Sequence, residues 1–265
     1  VTSSYVRRAA DAVVYSPANH TGIANQRIIS RETVGASRIE VLIGTIAPGH
    51  GALPHAHPNL EQASYVFSGK GLAQTPGKQQ MLDAGGWSFS PLGVFHRFEV
   101  TSDVPVRLMV IYAPPYSENP NAAVVVTGLD DQRWQAGASG DDIKDIEAAA
   151  LPYYRHALAK PIVTGRTVNA RFLEIHDVEI AADGGVAPHS LPEIEQVLFV
   201  KNGAIRGRIN GQEFAAVAQE WVFVPEGAEF SFDADRASCG IFVIRAGDPL
   251  QGQELGAGRS GLGRS

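Results

Sequence analysis

The chain reads as a series of short runs in which apolar and polar residues alternate. Residues 38–46, 62–67, 87–90, 94–100 and 106–112 each carry the period of two that sends side chains to opposite faces of a strand. Turn residues separate the runs: Pro48-Gly49, Gly69, Pro76-Gly77, Gly85-Gly86 and Pro91-Leu92-Gly93. The second half repeats the theme over 172–180, 196–200, 221–224, 230–232 and 240–245. There Asn210-Gly211 predicts a tight hairpin, because both residues tolerate positive φ. Many short strands at near-regular spacing predict an all-β sandwich or barrel. One segment, 141–151, predicts a helix. Ile143, Ile146 and Ala150 fall at three-to-four spacing, Ser139 and Asp141 are candidate N-caps, and Pro152 ends the pattern.

An internal repeat organises these runs. The segment 54–62, PHAHPNLEQ, matches 188–196, PHSLPEIEQ, at five of nine positions, an offset of 134. The same offset carries Gly51 to Gly185, Gly69 to Gly203, Trp87 to Trp221, Phe89 to Phe223, Pro91 to Pro225, Gly93 to Gly227 and Phe98 to Phe232. A constant offset over so many positions predicts a duplicated β-domain. The expected layout is an N-terminal arm over 1–22, a first domain over 23–113, a connector over 114–156 holding the helix, a second domain over 157–250 and a mobile Gly/Ser/Arg-rich tail over 251–265. The arm is expected to lie over the partner half or over another subunit.

Composition narrows the function. At 265 residues, with 44% hydrophobic and 19% charged, the chain is not disordered and can bury a sizeable core. A net charge of −6 argues against nucleic-acid or anionic-membrane partners, which call for a basic surface. The single cysteine, Cys239, excludes an intrachain disulfide and fits a reducing compartment. With no apolar run long enough to span a membrane and no signal-peptide pattern, the expectation is a cytoplasmic protein. A homodimer is expected as the commonest soluble oligomer.

The candidate chemistry lies in the first copy. His55 and His57 are two apart and share a face if the segment is extended. Gln62 opens the next strand with Ser64 and Val66 on its face; His96 follows the Pro91-Leu92-Gly93 turn with Val94 and Phe98 on its face. Three imidazoles and an amide oxygen then converge inside one barrel, a donor set suited to Fe, Ni, Cu, Zn or Mn. His20, His50, His156 and His176 have no such context and are expected to be surface or structural residues.

These residues carry a resemblance to the cupin superfamily. The stretch 49–69 resembles its first motif: a glycine, His-x-His, then a Glu or Gln seven residues before a glycine. The stretch 86–96 resembles the second: a glycine, a short strand, Pro-x-Gly and a histidine. The whole chain looks like a bicupin, two tandem double-stranded β-helix (jelly-roll-like) barrels with one short linker helix, over about 23–113 and 157–247. The resemblance implies one divalent transition metal per chain, with Fe(II) favoured and Mn, Ni, Zn or Cu possible. It would be held by His55, His57, Gln62 and His96. Glu61 has the residue type of the usual fourth ligand, but the spacing from Gly69 selects Gln62, and Glu61 faces the other way. In the second copy Leu191 stands for His57 and Phe230 for His96, so only His189 and Gln196 persist. That half is expected to be a scaffold, or else a second pocket with His189 and Gln196 as its polar contacts.

An uncharged His₃Gln shell leaves the full charge of a divalent ion in place, which favours a small anionic or enolisable, oxygen-rich substrate. The leading expectation is a metal-dependent dioxygenase, with Ser64, Val94 and Phe98 on the pocket wall and Tyr112 as a proton donor. A non-redox isomerase, lyase or hydrolase is the first alternative. A small-molecule-binding or regulatory bicupin is the second.

Overall fold

The computed structural model describes residues 4–17, 21–117 and 119–247, so the expected tail and His20 lie outside the described residues. Strands β1 (Val6–Arg8) and β2 (Val14–Tyr15) precede the first barrel. That barrel is built from β3 (Ile23–Ile29), β4 (Glu40–Ile46), β5 (His55–Ala56), β6 (Glu61–Ser68), β7 (Lys70–Thr75), β8 (Lys78–Asp83), β9 (Trp87–Ser90), β10 (Arg97–Val100) and β11 (Val106–Ala113). After β12 (Val124–Val125), the second barrel follows with β13 (Tyr154–Val163), β14 (Leu173–His189), β15 (Ile194–Asn202), β16 (Ala204–Ile209), β17 (Gln212–Val217), β18 (Glu220–Val224), β19 (Phe230–Ala234) and β20 (Cys239–Gly247). The fold is all-β. The first barrel is a six-stranded sheet, β2-β3-β4-β11-β6-β9, closed by β10-β7-β8 and the small pair β12-β5. In the second barrel the long β14 pairs with β20 at one end and β19 at the other, joining both walls into one sheet. Asn210 and Gly211 take φ of 48° and 77°, the hairpin their sequence predicts.

Strand alternation divides the first barrel's main sheet between two tasks. Along β6, Gln62, Ser64 and Val66 face the barrel interior, while Ala63, Tyr65 and Phe67 face the second barrel. One apolar core therefore spans both halves, with Trp87, Phe89, Met109 and Ile111 meeting Phe199, Trp221, Phe223 and Phe242. Its contacts are reciprocal. Tyr65 packs on Phe242 with centroids 4.8 Å apart, Phe67 on Phe199 at 5.3 Å and Trp87 on Phe242 at 5.0 Å. The Trp221 indole Nε1 points at Met109 Sδ, 3.5 Å away.

Two buried glutamates clamp this interface from opposite ends. Glu61 accepts the backbone N–H groups of Arg171, Phe172 and Leu173 at 2.7, 2.8 and 3.1 Å. Its counterpart in the repeat, Glu195, accepts those of Ser37, Arg38 and Ile39 at 2.8, 2.8 and 3.2 Å, and the Ser37 hydroxyl at 2.9 Å. Short helices precede both receiving segments: α1 (Arg31–Val34) and, after α2 (Gln132–Gln135), α3 (Gly165–Val168). Each of the two is opened by a capping box, from Ser30 and Thr164 respectively. The N-terminal arm adds a cross-link, because β1 pairs antiparallel with β18 of the second barrel while β2 pairs with β3 of the first.

The helix predicted over 141–151 does not form. Eleven residues are marginal as an isolated helix, and this backbone finds tertiary partners instead. Lys144 N donates to Thr167 O at 3.2 Å, and Ala149 bridges Ala159 in both directions at 2.9 Å. The candidate cap Ser139 turns its hydroxyl to Pro76 O. The connector's helix is α2, capped by Asp131, which accepts Arg133 N at 2.9 Å. Among the described residues no helix is long and apolar enough to cross a membrane.

Candidate metal centre

The cluster begins with a backbone pairing. His55 N donates to His96 O at 3.0 Å and His96 N to His55 O at 2.8 Å, so the two residues sit directly opposite each other. Side chains of directly paired residues emerge on one face, and the two rings lie 4.4 Å apart. His57, two residues on from His55, brings its ring to 4.9 Å from His55 and 5.5 Å from His96. Gly93, at φ 72°, donates its N–H to His57 O at 2.8 Å and so ties the turn before His96 to the His-x-His segment. One ring nitrogen from each histidine lies within 4.8 Å of the others, so the three can hold a metal ion.

Hydrogen bonding orients each ring. The Nδ1 atoms of His55, His57 and His96 contact the carbonyls of Leu53, Ala122 and Val94 at 2.7, 3.2 and 3.0 Å. A carbonyl only accepts, so each Nδ1 carries the proton and each Nε2 keeps its lone pair, the tautomer a metal-ligating imidazole needs. Nε2 of His57 is buried with no hydrogen-bond partner, and Gln62 Oε1 lies 3.2 Å from Nε2 of His96. Burial holds the His57 pKa below its ordinary value. Burial, then the neighbouring histidines, hold that of His96 well below it. The His57 and His96 rings therefore stay neutral donors near neutrality. An orphaned buried lone pair within a neutral N₃O set fits a transition metal ion.

A cavity of about 220 Å³ opens from this cluster into the first barrel, with Ser64, Phe98, Tyr112 and Gln62 among its walls. Val94 is not among them, contrary to the strand alternation read from the sequence. The strand begins only at Arg97, and Val94 acts through its carbonyl on His96 instead. The Tyr112 ring lies 5.8 Å from that of His57. Tyr116 comes closer, at 5.1 Å, and packs against Tyr112 at 5.4 Å. Neither Tyr116 nor the Ala122 carbonyl was visible in the sequence. Both lie in the connector, whose spacing carries no signal that it folds back over the site.

Among the described residues the second barrel has no comparable space. The cavity around His189 and Gln196 measures about 10 Å³, room for about one water. Leu191 and Phe230 line it where His57 and His96 would stand. Gln196 is engaged by Arg245, whose Nε donates to its Oε1 at 2.8 Å, and Arg245 also bonds Glu174 at 3.2 Å. His189 stacks flat on Tyr153 at 4.2 Å. The alternative of a second pocket at His189 and Gln196 thus meets a site filled by apolar side chains and a buried ion pair.

Comparison with known proteins agrees with this architecture. The Cupin domain family matches residues 42–112, a span that holds all three histidines and Gln62. The first barrel is thus similar to a cupin domain, and the tandem barrels share the bicupin fold. It is similar to the polyketide synthase CurC of Streptomyces cyaneus, 27% identical over 137 residues, which are 52% of this chain and 84% of that protein. It is also similar to the protein SchB of Streptomyces halstedii, 29% identical over 110 residues, or 42% and 79% of the two chains. Among solved structures, the oxalate decarboxylase of Lactobacillus farciminis in its formate complex superposes with a TM-score of 0.67. That match covers 94% of this chain and 87% of the other at 13% identity, a likeness of fold alone.

Proposed function

We propose that the chain is a metal-dependent enzyme whose first barrel converts a small anionic or enolisable, oxygen-rich substrate in a dioxygenase reaction. The observation that carries this reading is the uncharged donor set at the end of the first barrel's cavity. His55, His57, His96 and Gln62 bring no negative charge, and Asp141 is the one acidic residue lining that cavity among the described residues. His55, His57 and His96 would hold the ion through Nε2, and Gln62 through Oε1. A divalent ion there supplies Lewis-acid polarisation of chelated oxygens and, as Fe(II), a centre for reaction with O₂. The three Nδ1–carbonyl contacts keep the rings oriented without charge. Tyr112 and Tyr116, packed against each other at a tilt beside His57, are the groups placed to hold or deliver a proton at a substrate oxygen. The likeness to a polyketide synthase component favours an oxygenated, enolisable carbon skeleton as substrate.

The same tyrosine pair favours a second reading, a non-redox isomerase or lyase working by proton transfer. Oxygen separates the two. Protein loaded with Fe(II) under argon is given a panel of catechols and cyclic β-diketones, and product and O₂ uptake are followed. Stoichiometric O₂ consumption that begins only on admission of air supports the dioxygenase. Turnover under argon overturns it in favour of proton-transfer chemistry.

A further inference from the structure

We propose that the first barrel selects a flat, two-ring substrate carrying oxygen along one long edge, and that Ser64 and Ser88, with Ser90 beside the metal end, read that edge. This rests on the metal-chelating reading above and adds to it the identity of the substrate's far end.

The inner face of the six-stranded sheet is the floor of the cavity, and strand pairing maps it in rows. Nearest the histidines, Ser90, Gln62 and Tyr112 lie side by side on β9, β6 and β11. The next row runs Ser88, Ser64, Val110 and Leu42. The row below it runs Val66, Leu108 and Gly44. Directly paired residues point to the same side of a sheet, so in the second row the floor is hydroxylated over β9 and β6 and apolar over β11 and β4. Phe89, between the two serines of β9, points the other way into the inter-barrel core, which fixes Ser88 and Ser90 as inward. None of the three hydroxyls has a hydrogen-bond partner among the described residues, although Ser90 is buried. Ser64 and Ser88 are half-buried and, with Ser90, face the cavity, so their hydroxyls form a row open to a ligand beside the metal centre.

Gly44 marks the opposite edge. It sits mid-strand with no left-handed φ, and a Cβ there would meet only Asn25 Oδ1 at 3.4 Å and Leu108 Cδ1 at 3.7 Å. The fold does not require glycine at this position, and a strand glycine that lines the cavity lets a ligand approach the backbone closely. The second barrel fills the same positions. Counted 134 residues on, Gly44, Ser64, Ser88 and Ser90 become Val178, Leu198, Val222 and Val224, all buried. At the packing density of protein interiors, the 220 Å³ cavity takes about 160 Å³ of ligand, the size of an oxygenated naphthalene.

Three chelators sharing one metal-binding end test this: salicylate, hydroxynaphthoate with the same end on two rings, and dihydroxynaphthoate with an added hydroxyl on the long edge. Binding to the zinc-loaded full chain is measured by calorimetry. The added hydroxyl is expected to tighten binding about tenfold. Ser64→Ala and Ser88→Ala should each remove about five- to tenfold for dihydroxynaphthoate only. Gly44→Val should exclude both naphthoates and spare salicylate, and Gly44→Ala, the gentler variant, should weaken the naphthoates in the same order. Serine variants that weaken all three probes alike, or an added hydroxyl without effect, overturn the proposal. If salicylate binds equally with zinc removed, the chelation reading fails, and a persisting serine dependence for dihydroxynaphthoate still upholds the slot.

Discussion

Replacing Glu195 with alanine removes one jaw of the clamp between the barrels, and the structure sets the size of the effect. The carboxylate is 3% exposed and takes four hydrogen bonds from residues 37–39. Hydrogen bonds to a charged acceptor contribute about 1.5–3 kcal/mol each, but they do not add, and Ser37 can turn to water. Ile39 is buried and Arg38 half-buried, so two N–H groups lose their acceptor without gaining solvent. At about 1–3 kcal/mol for each orphaned donor, the loss is about 4 kcal/mol, a large share of the 5–15 kcal/mol that holds a typical domain folded. For a chain of this size that lowers the melting temperature by about 10 °C. Glu195→Gln keeps one acceptor oxygen but turns an amide NH₂ toward the remaining donors, and should lose about half as much. Urea unfolding followed by tryptophan fluorescence is the appropriate assay, since Trp87 and Trp221 both lie in the inter-barrel core. Glu226→Gln, which breaks only the half-exposed Arg38–Glu226 ion pair nearby, is the control and should leave the midpoint in place. A Glu195→Ala loss below about 1 kcal/mol would refute the assignment of the clamp as a principal link between the halves.

Three further outcomes are expected. His96→Ala or His55→Ala should reduce bound metal from about one ion per chain to near zero while far-UV circular dichroism is unchanged, because the apolar faces that build the barrel do not involve these rings. Tyr112→Phe should lower turnover at least about a hundredfold at unchanged metal content if its hydroxyl delivers the proton, and Tyr116→Phe tests the neighbouring ring in the same assay. His176→Leu should flatten the acid limb of the stability curve. Burial, and then Arg245, push His176 down to about 3, although Glu174 lies 3.4 Å away, because Arg245 already engages that carboxylate. Below the ordinary histidine value the unfolded chain takes up a proton that the folded one refuses. Stability is therefore lost as pH falls from about 6.5 toward 3, by up to about 1.4 kcal/mol per pH unit, and guanidinium titrations from pH 7 to 4 measure it.

Where hydrophobic alternation is strong, the sequence shows the strand directly; β9 falls on 87–90 as predicted, and β11 extends the predicted 106–112 by one residue. The paired strands β7 and β8 are mostly polar, since their outer face meets water, and alternation alone passes over them. The His-x-His spacing and the Pro-x-Gly turn made the ligand set legible, because that geometry is local. Glu61 was legible by parity alone, facing away from Gln62, but its partners 171–173 are more than a hundred residues distant. For the same reason Tyr116 and the Ala122 carbonyl were out of reach. They join the site through β12, which pairs with β5 by tertiary contact and not by any sequence periodicity.

The two halves share one face and differ on the other, and strand geometry makes that division possible. Outward positions of both repeats serve the same interface: Trp87 and Trp221, and Phe89 and Phe223, enter one shared core, while Glu61 and Glu195 each hold the other barrel's backbone. An interface of this pseudo-two-fold kind constrains both copies at once, because a change in one half meets the unchanged residue in the other. Inward positions carry no such constraint, and there His57, His96, Ser64 and Tyr112 stand against Leu191, Phe230, Leu198 and Arg245. The buried Arg245 guanidinium brings a permanent positive charge to Gln196 and Glu174 in a barrel without a histidine set. The filled barrel therefore acts through its outer face. Glu61, held by three N–H groups of the second barrel, precedes Gln62 on β6, so the half without a cavity anchors the strand that brings the amide oxygen to the histidines of the other.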